Sequence, residues 1–248
     1  MTPLVNAILA DPLTFLEQNA LLTFDLQAGG GVPLVPCFTA GTGIVTRSGE
    51  RAVETLAVGD EVLTLDHGFQ PIRWIGRKAL GALDLAERPD LRPIRIAAGA
   101  LGEGLPERDL IVSPQHRCLV RSDIARRMTG EREVLAAAKH LLGQPGIDPL
   151  PAGAEVVYVH ILFDRHELVF SNGAVTESFY PGPQGTAALD DAALREIHAL
   201  FPGLSDGDPN GGPAPARAFL GGHAARSLVK RSVRNTRQLV QRRRPLRA

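Results

Sequence analysis

The sequence predicts an all-β body with a helical C-terminal extension. Three observations carry this expectation: short apolar runs separated by turn residues, 26 glycines with 19 prolines, and an aromatic share of only 5%. Short β-rich runs punctuated by Gly, Pro, Asn and Asp read as strands and hairpins, whereas a helical bundle needs long stripes at the 3.6-residue period. With 248 residues, 44% of them hydrophobic, the chain can bury one sizeable core and carry appendages.

Taken in order, residues 1–34 form a leader whose first thirty residues hold Asp11, Glu17 and Asp25 and no Lys or Arg. Asp11 before Pro12 is a helix-start signal and predicts a short helix over residues 12–22. Gly29-Gly30-Gly31 then forms a flexible hinge ahead of Cys37. From Leu34 the period shortens. Strands are expected at residues 43–46, 61–65, 70–75 (after a turn at His67-Gly68), 94–96, 109–112, 118–120, 156–163 and 167–170. Asn172-Gly173 predicts a tight hairpin, because both central residues of a type I′ turn need positive φ. Residues 123–142 read as a helical insertion. An amphipathic helix is expected over residues 187–201, opened by Asp190 and Asp191 and ended by Pro202-Gly203. Residues 183–216 are thus helix and linker, and residues 217–248 a basic tail.

The formal net charge of zero conceals an asymmetry. No acidic residue follows Asp208, while ten of the 27 cations do, from Arg217 to Arg247. Residues 1–216 therefore carry a net charge of −10. Body and tail are expected to attract each other. The tail has too few apolar residues, chiefly Leu228, Val229, Val233, Leu239 and Val240, to fold alone. It reads as a solvated arm, with a nucleic acid or an anionic membrane as its possible partner. No run reaches the eighteen or so apolar residues of a membrane span, and the N-terminus carries no secretory-signal pattern. Two cysteines, Cys37 and Cys118, are too few for a disulfide scaffold and form no metal-ligand pattern. No cofactor is expected, and a reducing, cytoplasmic compartment would keep a thiol free.

The chemistry centres on Cys37, which opens Cys37-Phe38-Thr39-Ala40-Gly41-Thr42 and is answered downstream by Ser113-Pro114-Gln115-His116. A thiol and a distant histidine point to acyl chemistry. Between them, Gly49-Glu50-Arg51-Ala52-Val53-Glu54-Thr55-Leu56-Ala57-Val58-Gly59-Asp60-Glu61-Val62-Leu63 resembles the opening of a Hint module, the self-processing domain shared by inteins and hedgehog C-terminal regions. The likeness continues through Asp109-Leu110-Ile111-Val112-Ser113-Pro114-Gln115-His116-Arg117 and Phe163-Asp164-Arg165-His166-Glu167-Leu168-Val169-Phe170-Ser171-Asn172-Gly173. It finishes at Thr176-Glu177-Ser178-Phe179-Tyr180-Pro181-Gly182, so that it spans residues 35–182. The family resembled is the Hint (hedgehog/intein) family in a bacterial stand-alone form, which implies a horseshoe-like β fold.

That resemblance implies autoprocessing. Cys37 attacks the carbonyl of Pro36, converting the Pro36–Cys37 amide to a thioester by an N-to-S acyl shift. His116 protonates the departing nitrogen, and Ser113 orients the peptide or donates to the oxyanion. His166 falls where inteins carry a second histidine for later steps. His160 falls near a position that is often aspartate, which makes a general-base role there less secure, and Asp164 is an acidic candidate two residues before His166. The substrate is the chain's own N-terminal segment, and the acceptor is water or an unidentified nucleophile.

Three departures bear on this. Splicing members end in His-Asn where this chain has Thr176-Glu177, so asparagine cyclisation is unavailable and cleavage without full splicing is what remains. Pro36 hinders attack at its own carbonyl. Cys118 lies two residues from His116, on the same strand face, and reads as a buried free thiol rather than a disulfide partner of Cys37. The rival readings are a decayed Hint scaffold acting as an interaction module, a trans-acting cysteine hydrolase using Cys37 and His116, and a basic-tail adaptor for nucleic acid.

Overall fold

The computed structural model describes residues 36–151, 153, 155–181, 191–200 and 214–241 of the chain. The leader with its expected helix and glycine hinge, residues 206–213 of the expected linker and residues 242–248 of the tail lie outside the described residues.

Short strands dominate. They are β1 (Phe38–Thr39), β2 (Gly43–Thr46), β3 (Gly49–Ala52), β4 (Glu61–Thr64), β5 (Gly68–Pro71), β6 (Trp74–Leu80), β7 (Ile94–Ile96), β8 (Leu110–Val112), β9 (Arg117–Arg121), β10 (Glu133–Ala137), β11 (Ile147–Pro149), β12 (Val156–Leu162), β13 (Leu168–Ser171) and β14 (Ala174–Glu177). Helices interrupt them at α1 (Ala82–Glu87), α2 (Asp123–Thr129) and α3 (Ala138–Leu141), and come after them at α4 (Asp191–Leu200) and α5 (Gly222–Arg234). One sheet has the order β11-β7-β8-β1-β12-β6. The other runs β10-β9-β14-β13-β2-β4-β5, with β3 added on β2.

β12 shows why the first sheet forms. All seven positions of Val-Val-Tyr-Val-His-Ile-Leu are buried, and the strand pairs along its whole length with β6, from Val156↔Leu80 to Leu162↔Trp74. A strand covered on both faces reads as a continuous apolar run rather than an alternating one. In the second sheet Asn172 (φ 46°) and Gly173 (φ 82°) make the tight β13–β14 turn that the sequence predicts.

Three expectations are corrected. Residues 70–75 are not one strand: Pro71 ends β5, Ile72 donates its N–H to Asp60, and Arg73 donates to Leu162, so the chain crosses from one sheet to the other there. Proline supplies no ladder donor, which makes it a natural break. Residues 123–142 are not one helix. Ser122 caps α2 by accepting from the Ala125 N–H at 3.0 Å, and Gly130 ends it in the left-handed conformation at φ 84°. The Val-Leu-Ala-Ala run after it becomes β10, paired with β9 from Glu133↔Arg121 to Ala137↔Arg117. Cross-strand pairing here outweighs the helix propensity of Leu and Ala.

The third correction concerns the tail. Residues 214–241 are docked on the body. Ala218 and Leu220 hydrogen-bond to either side of Leu135 on β10, and Arg121 on β9 is bracketed by Leu239 and Gln241. Ala225, Leu228, Val229 and Ser232 form the buried face of α5. Ala225, Leu228 and Val229 join a cluster with Leu110, Val120, Val134 and Leu141, while Phe38, Ile44, Val62, Ile72, Val159 and Ile161 build the second main cluster. Arg217 bridges Asp66 and Glu133 at 2.9 and 2.8 Å, an instance of the expected attraction between body and tail. Too apolar-poor to fold alone, the segment folds by borrowing the body's core. Leu228→Ala is expected to cost about 2–5 kcal/mol, read as a shift in the urea midpoint. Lys230→Ala, on the exposed side of the same helix, should stay within about 0.5 kcal/mol.

Candidate functional site

β1 is only two residues long but lies in the interior of the six-stranded sheet, between β8 and β12. Its registers are Phe38↔Val159 on one side and Phe38↔Val112 on the other. Continued by one residue, the two registers set His160 and Ser113 on either side of Cys37. The contacts agree with that placement. The Cys37 N–H donates to Ser113 Oγ at 2.9 Å, and the Ser113 N–H donates back to the Cys37 carbonyl at 3.0 Å. Cys37 Sγ is 3.3 Å from His160 Nε2, and the carbonyl oxygen of Pro36 lies 2.9 Å from His160 Nδ1. The Pro36–Cys37 peptide is therefore held at its N–H by Ser113 and at its C=O by His160, with the thiol alongside.

This centre is dry. Pro36, Cys37, Ser113, His116 and His160 are all buried. Trp74 stacks on His160 at 6.5 Å between ring centroids, and Phe179 meets it edge-on at 5.6 Å. Burial pushes the Cys37 thiol well above its ordinary range, tempered by a hydrogen bond to the Ser113 side chain. Burial also lowers His160 to about 4, partly opposed by its contact with the Pro36 carbonyl. Desolvation disfavours the charged form in each case, so the resting pair is a neutral thiol beside a neutral imidazole.

His116 enters on the turn between β8 and β9, whose closing bond runs from its N–H to the Ser113 carbonyl at 3.0 Å. Its ring lies edge-on to Phe38 at 4.4 Å, and neither ring nitrogen has a hydrogen-bond partner among the described residues. Burial, and then the positive charge of Arg117, lower it to about 3. An unpartnered buried imidazole is costly, and an orphan of this kind calls for a specific explanation.

His166 belongs to a neighbouring group. Its Nδ1 accepts the Ala216 N–H at 3.1 Å, and Nε2 stands 3.2 Å from Glu177 Oε2, at ion-pair distance but off the hydrogen-bond axis. Glu177, fully buried, also accepts from the Arg117 N–H at 2.8 Å and pairs with the Arg117 guanidinium at 3.0 Å. Tyr180 and Phe219 pack on the His166 ring, so the C-terminal segment covers it. Asp164 points elsewhere, to an ion pair with Arg73 at the surface. Cys118 is a free, buried thiol of β9, pushed up to about 12 by desolvation.

Of the residues singled out from sequence, Pro36, Cys37 and Ser113 are thus in direct mutual contact, and His116 is tied to Ser113 by the turn. His160, the less secure base candidate on sequence, is the histidine that touches the thiol. A signal for it did exist. One histidine inside a seven-residue apolar strand must find a partner, since burying an unpaired polar group costs several kcal/mol or more by transfer scales, roughly 2–7. Among the described residues no group of three or more His, Cys, Asp or Glu side chains converges to hold a metal, and no helix is long and apolar enough to cross a membrane.

The two sheets and the junction in front of Cys37 define a Hint-type module. The Hint domain family model matches residues 36–183, and the chain belongs to that family. Solved structures similar to it include a bacterial intein-like domain from Clostridium thermocellum, at 14% identity over 57% of this chain and 97% of that one with a TM-score of 0.38. The MchDnaB-1 intein stands at 15% identity over 56% and 98%, with a TM-score of 0.35. The gp41-1 intein stands at 13% over 57% and 97%, with a TM-score of 0.34. Among curated proteins none matches the chain.

The neutral histidines give the site a pH signature. In the unfolded chain His116 and His160 take up protons near pH 6.5, while in the folded chain they do so only near 3 and 4. Their contribution to stability is therefore present above pH 6.5 and lost progressively as pH falls toward 4, at about 1.4 kcal/mol per pH unit for each histidine. Urea midpoints should be flat above pH 7 and decline in acid, and His116→Asn should reduce that slope by about one proton's worth.

Proposed function

We propose that the protein is a self-processing module that cleaves its own chain before Cys37 through a thioester, without splicing. One observation carries the reading: the buried Pro36–Cys37 peptide is gripped at both its N–H and its C=O beside a thiol. Such positioning turns an otherwise slow amide attack into a near-attack arrangement. Sγ of Cys37 adds to the Pro36 carbonyl, the C–N bond breaks, and the chain ahead of Cys37 becomes a thioester. Ser113 holds the amide N–H. His116, buried next to that turn with both ring nitrogens unpartnered, delivers the proton that the departing nitrogen needs. Water or another nucleophile then resolves the thioester, releasing residues 1–36.

Splicing is disfavoured by the residue at the other end. Glu177 has no side-chain amide nitrogen with which to cyclise, and its carboxylate is bound to Arg117 and paired with His166. Hydrolysis of added substrates is disfavoured as well, because the chain's own Pro36 carbonyl occupies His160. The second reading, a scaffold that no longer cuts, draws on the thiol's deep burial and its raised pKa. A reducing compartment fits either reading, since each keeps Cys37 free.

Intact-mass measurement of the purified chain, with and without dithiothreitol or hydroxylamine and beside Cys37→Ala, decides between them. Loss of residues 1–36 from wild type but not from the variant is the expected result. An uncut wild-type chain under every condition would leave the scaffold.

A further inference from the structure

Resting on the proposed cleavage before Cys37, we infer that His160 is its catalytic residue for thiol activation, one neutral imidazole that takes the proton of Cys37 Sγ at Nε2 while donating Nδ1–H to the oxygen of Pro36. The two contacts fall on different nitrogens of one ring, 3.3 Å to sulfur and 2.9 Å to oxygen. A carbonyl oxygen only accepts, so Nδ1 carries the hydrogen and Nε2 presents its lone pair to the thiol. The scissile carbonyl itself thus selects the tautomer that base catalysis requires.

Electrons and protons balance within the site. Attack forms the bond between Sγ and the carbonyl carbon of Pro36, and the π pair of the C=O moves to oxygen. The thiol proton passes to His160 Nε2, and the resulting imidazolium faces the new oxyanion through Nδ1–H. One ring answers both charges created in the step, in a site closed to water where such pairing is strongest. As the C–N bond breaks, its electron pair goes to the Cys37 nitrogen, which takes an N–H proton of His116 while the other nitrogen of that ring takes up the proton lodged on His160, so that both rings end neutral as they began. Sulfur loses one hydrogen and nitrogen gains one, so no external acid, base or cofactor enters. An ionised carboxylate in the same place could take the thiol proton but would have no hydrogen to offer the carbonyl.

The surroundings suit a neutral base. Trp74 of β6 and Phe179 after β14 cover the ring. Glu196 of α4 meets this shell through the Trp74 indole, at 2.8 Å. Tyr158, on the same strand, gives its hydroxyl hydrogen to the Leu91 carbonyl, and Arg77 of β6 turns to the carbonyls of Glu54 and Leu56. His116, from the β8–β9 turn, is the titratable group whose charge is felt with that of His160. Neither a thiolate nor an imidazolium is stabilised at rest, so the thiol needs a base in contact with it.

The test measures leader release by intact mass from pH 6 to 8, in hydroxylamine concentrated enough for the acyl shift to limit the rate. Full-length wild type, His160→Asn and His160→Asp are compared, with circular dichroism as the check on folding. Asparagine keeps a donor near the Nδ1 position and removes the base; aspartate returns a base. Wild type should be independent of pH across this range, because the neutral imidazole already predominates. His160→Asn should be slower by about 10²–10⁴-fold and climb about tenfold per pH unit, as hydroxide replaces the lost base, and His160→Asp should recover part of the rate. A folded His160→Asn variant that cleaves at the wild-type rate with the same flat profile overturns the role of His160 alone. A wild-type chain that stays as intact as Cys37→Ala overturns the underlying reaction and this role with it.

Discussion

The insertion of a two-residue strand between β8 and β12 is the constraint on which the rest of the site depends. Phe38 and Thr39 are too few to hold a place in a sheet by their own hydrogen bonds. They are fixed because Phe38 is buried against Ile44, Val159 and Ile161, and because Thr39 gives its hydroxyl hydrogen to the Ile111 carbonyl. Once Phe38 is seated, antiparallel register leaves no freedom to the residue before it. A slip of one position would turn Cys37 away from His160 and Ser113 together. Packing of one phenylalanine thus sets the geometry of the peptide bond just upstream.

Dryness is the second consequence of that placement. A sheet interior excludes water from the Pro36–Cys37 bond, and exclusion acts in two directions. It keeps the thiol protonated and the histidines uncharged, which makes the resting centre unreactive as an ion pair. It also strengthens every hydrogen bond that forms when charge develops. On the proposed reading, a site of this kind is quiet until the attacking sulfur, the base and the carbonyl move together, which suits a bond that must survive folding before it is cut.

Much of the fold was legible because its strands are short, β-rich and bounded by turn residues; Asn172-Gly173 alone identifies the β13–β14 hairpin. The illegible parts depend on distant pairing. Val134 to Ala137 has no local reason to prefer a strand to a helix until β9 lies beside it, and the break at Ile72-Arg73 arises because two sheets compete for adjacent N–H groups. The tail's apolar residues are too sparse to signal a fold, yet each of Leu228, Val229, Leu239 and Val240 finds a seat on a surface the body supplies. At the site, Cys37, Ser113 and His116 were readable from their motifs. His160 was harder to see because its contact with Cys37 rests on a register between segments separated by 123 residues in sequence.

The two ends of the module differ in a way that bears on direction. At the N-terminal junction the peptide is held through its own backbone groups by side chains that can exchange a proton. At the C-terminal end Glu177 is bound by Arg117 and His166, and His166 is in turn capped by the Ala216 N–H and the Phe219 ring. Arg117 also stacks on Phe219, with its guanidinium 4.0 Å from the ring centroid. The appended segment therefore does more than fill a core. It occupies Nδ1 of His166 with the Ala216 N–H and covers the ring with Phe219, and it ties residues 218–220 and 239–241 onto β10 and β9. On the proposed reading, an arrangement with one gripped junction and one covered end favours release of the segment ahead of Cys37 and retention of the chain beyond Glu177. That asymmetry is written into the same contacts that make the tail fold.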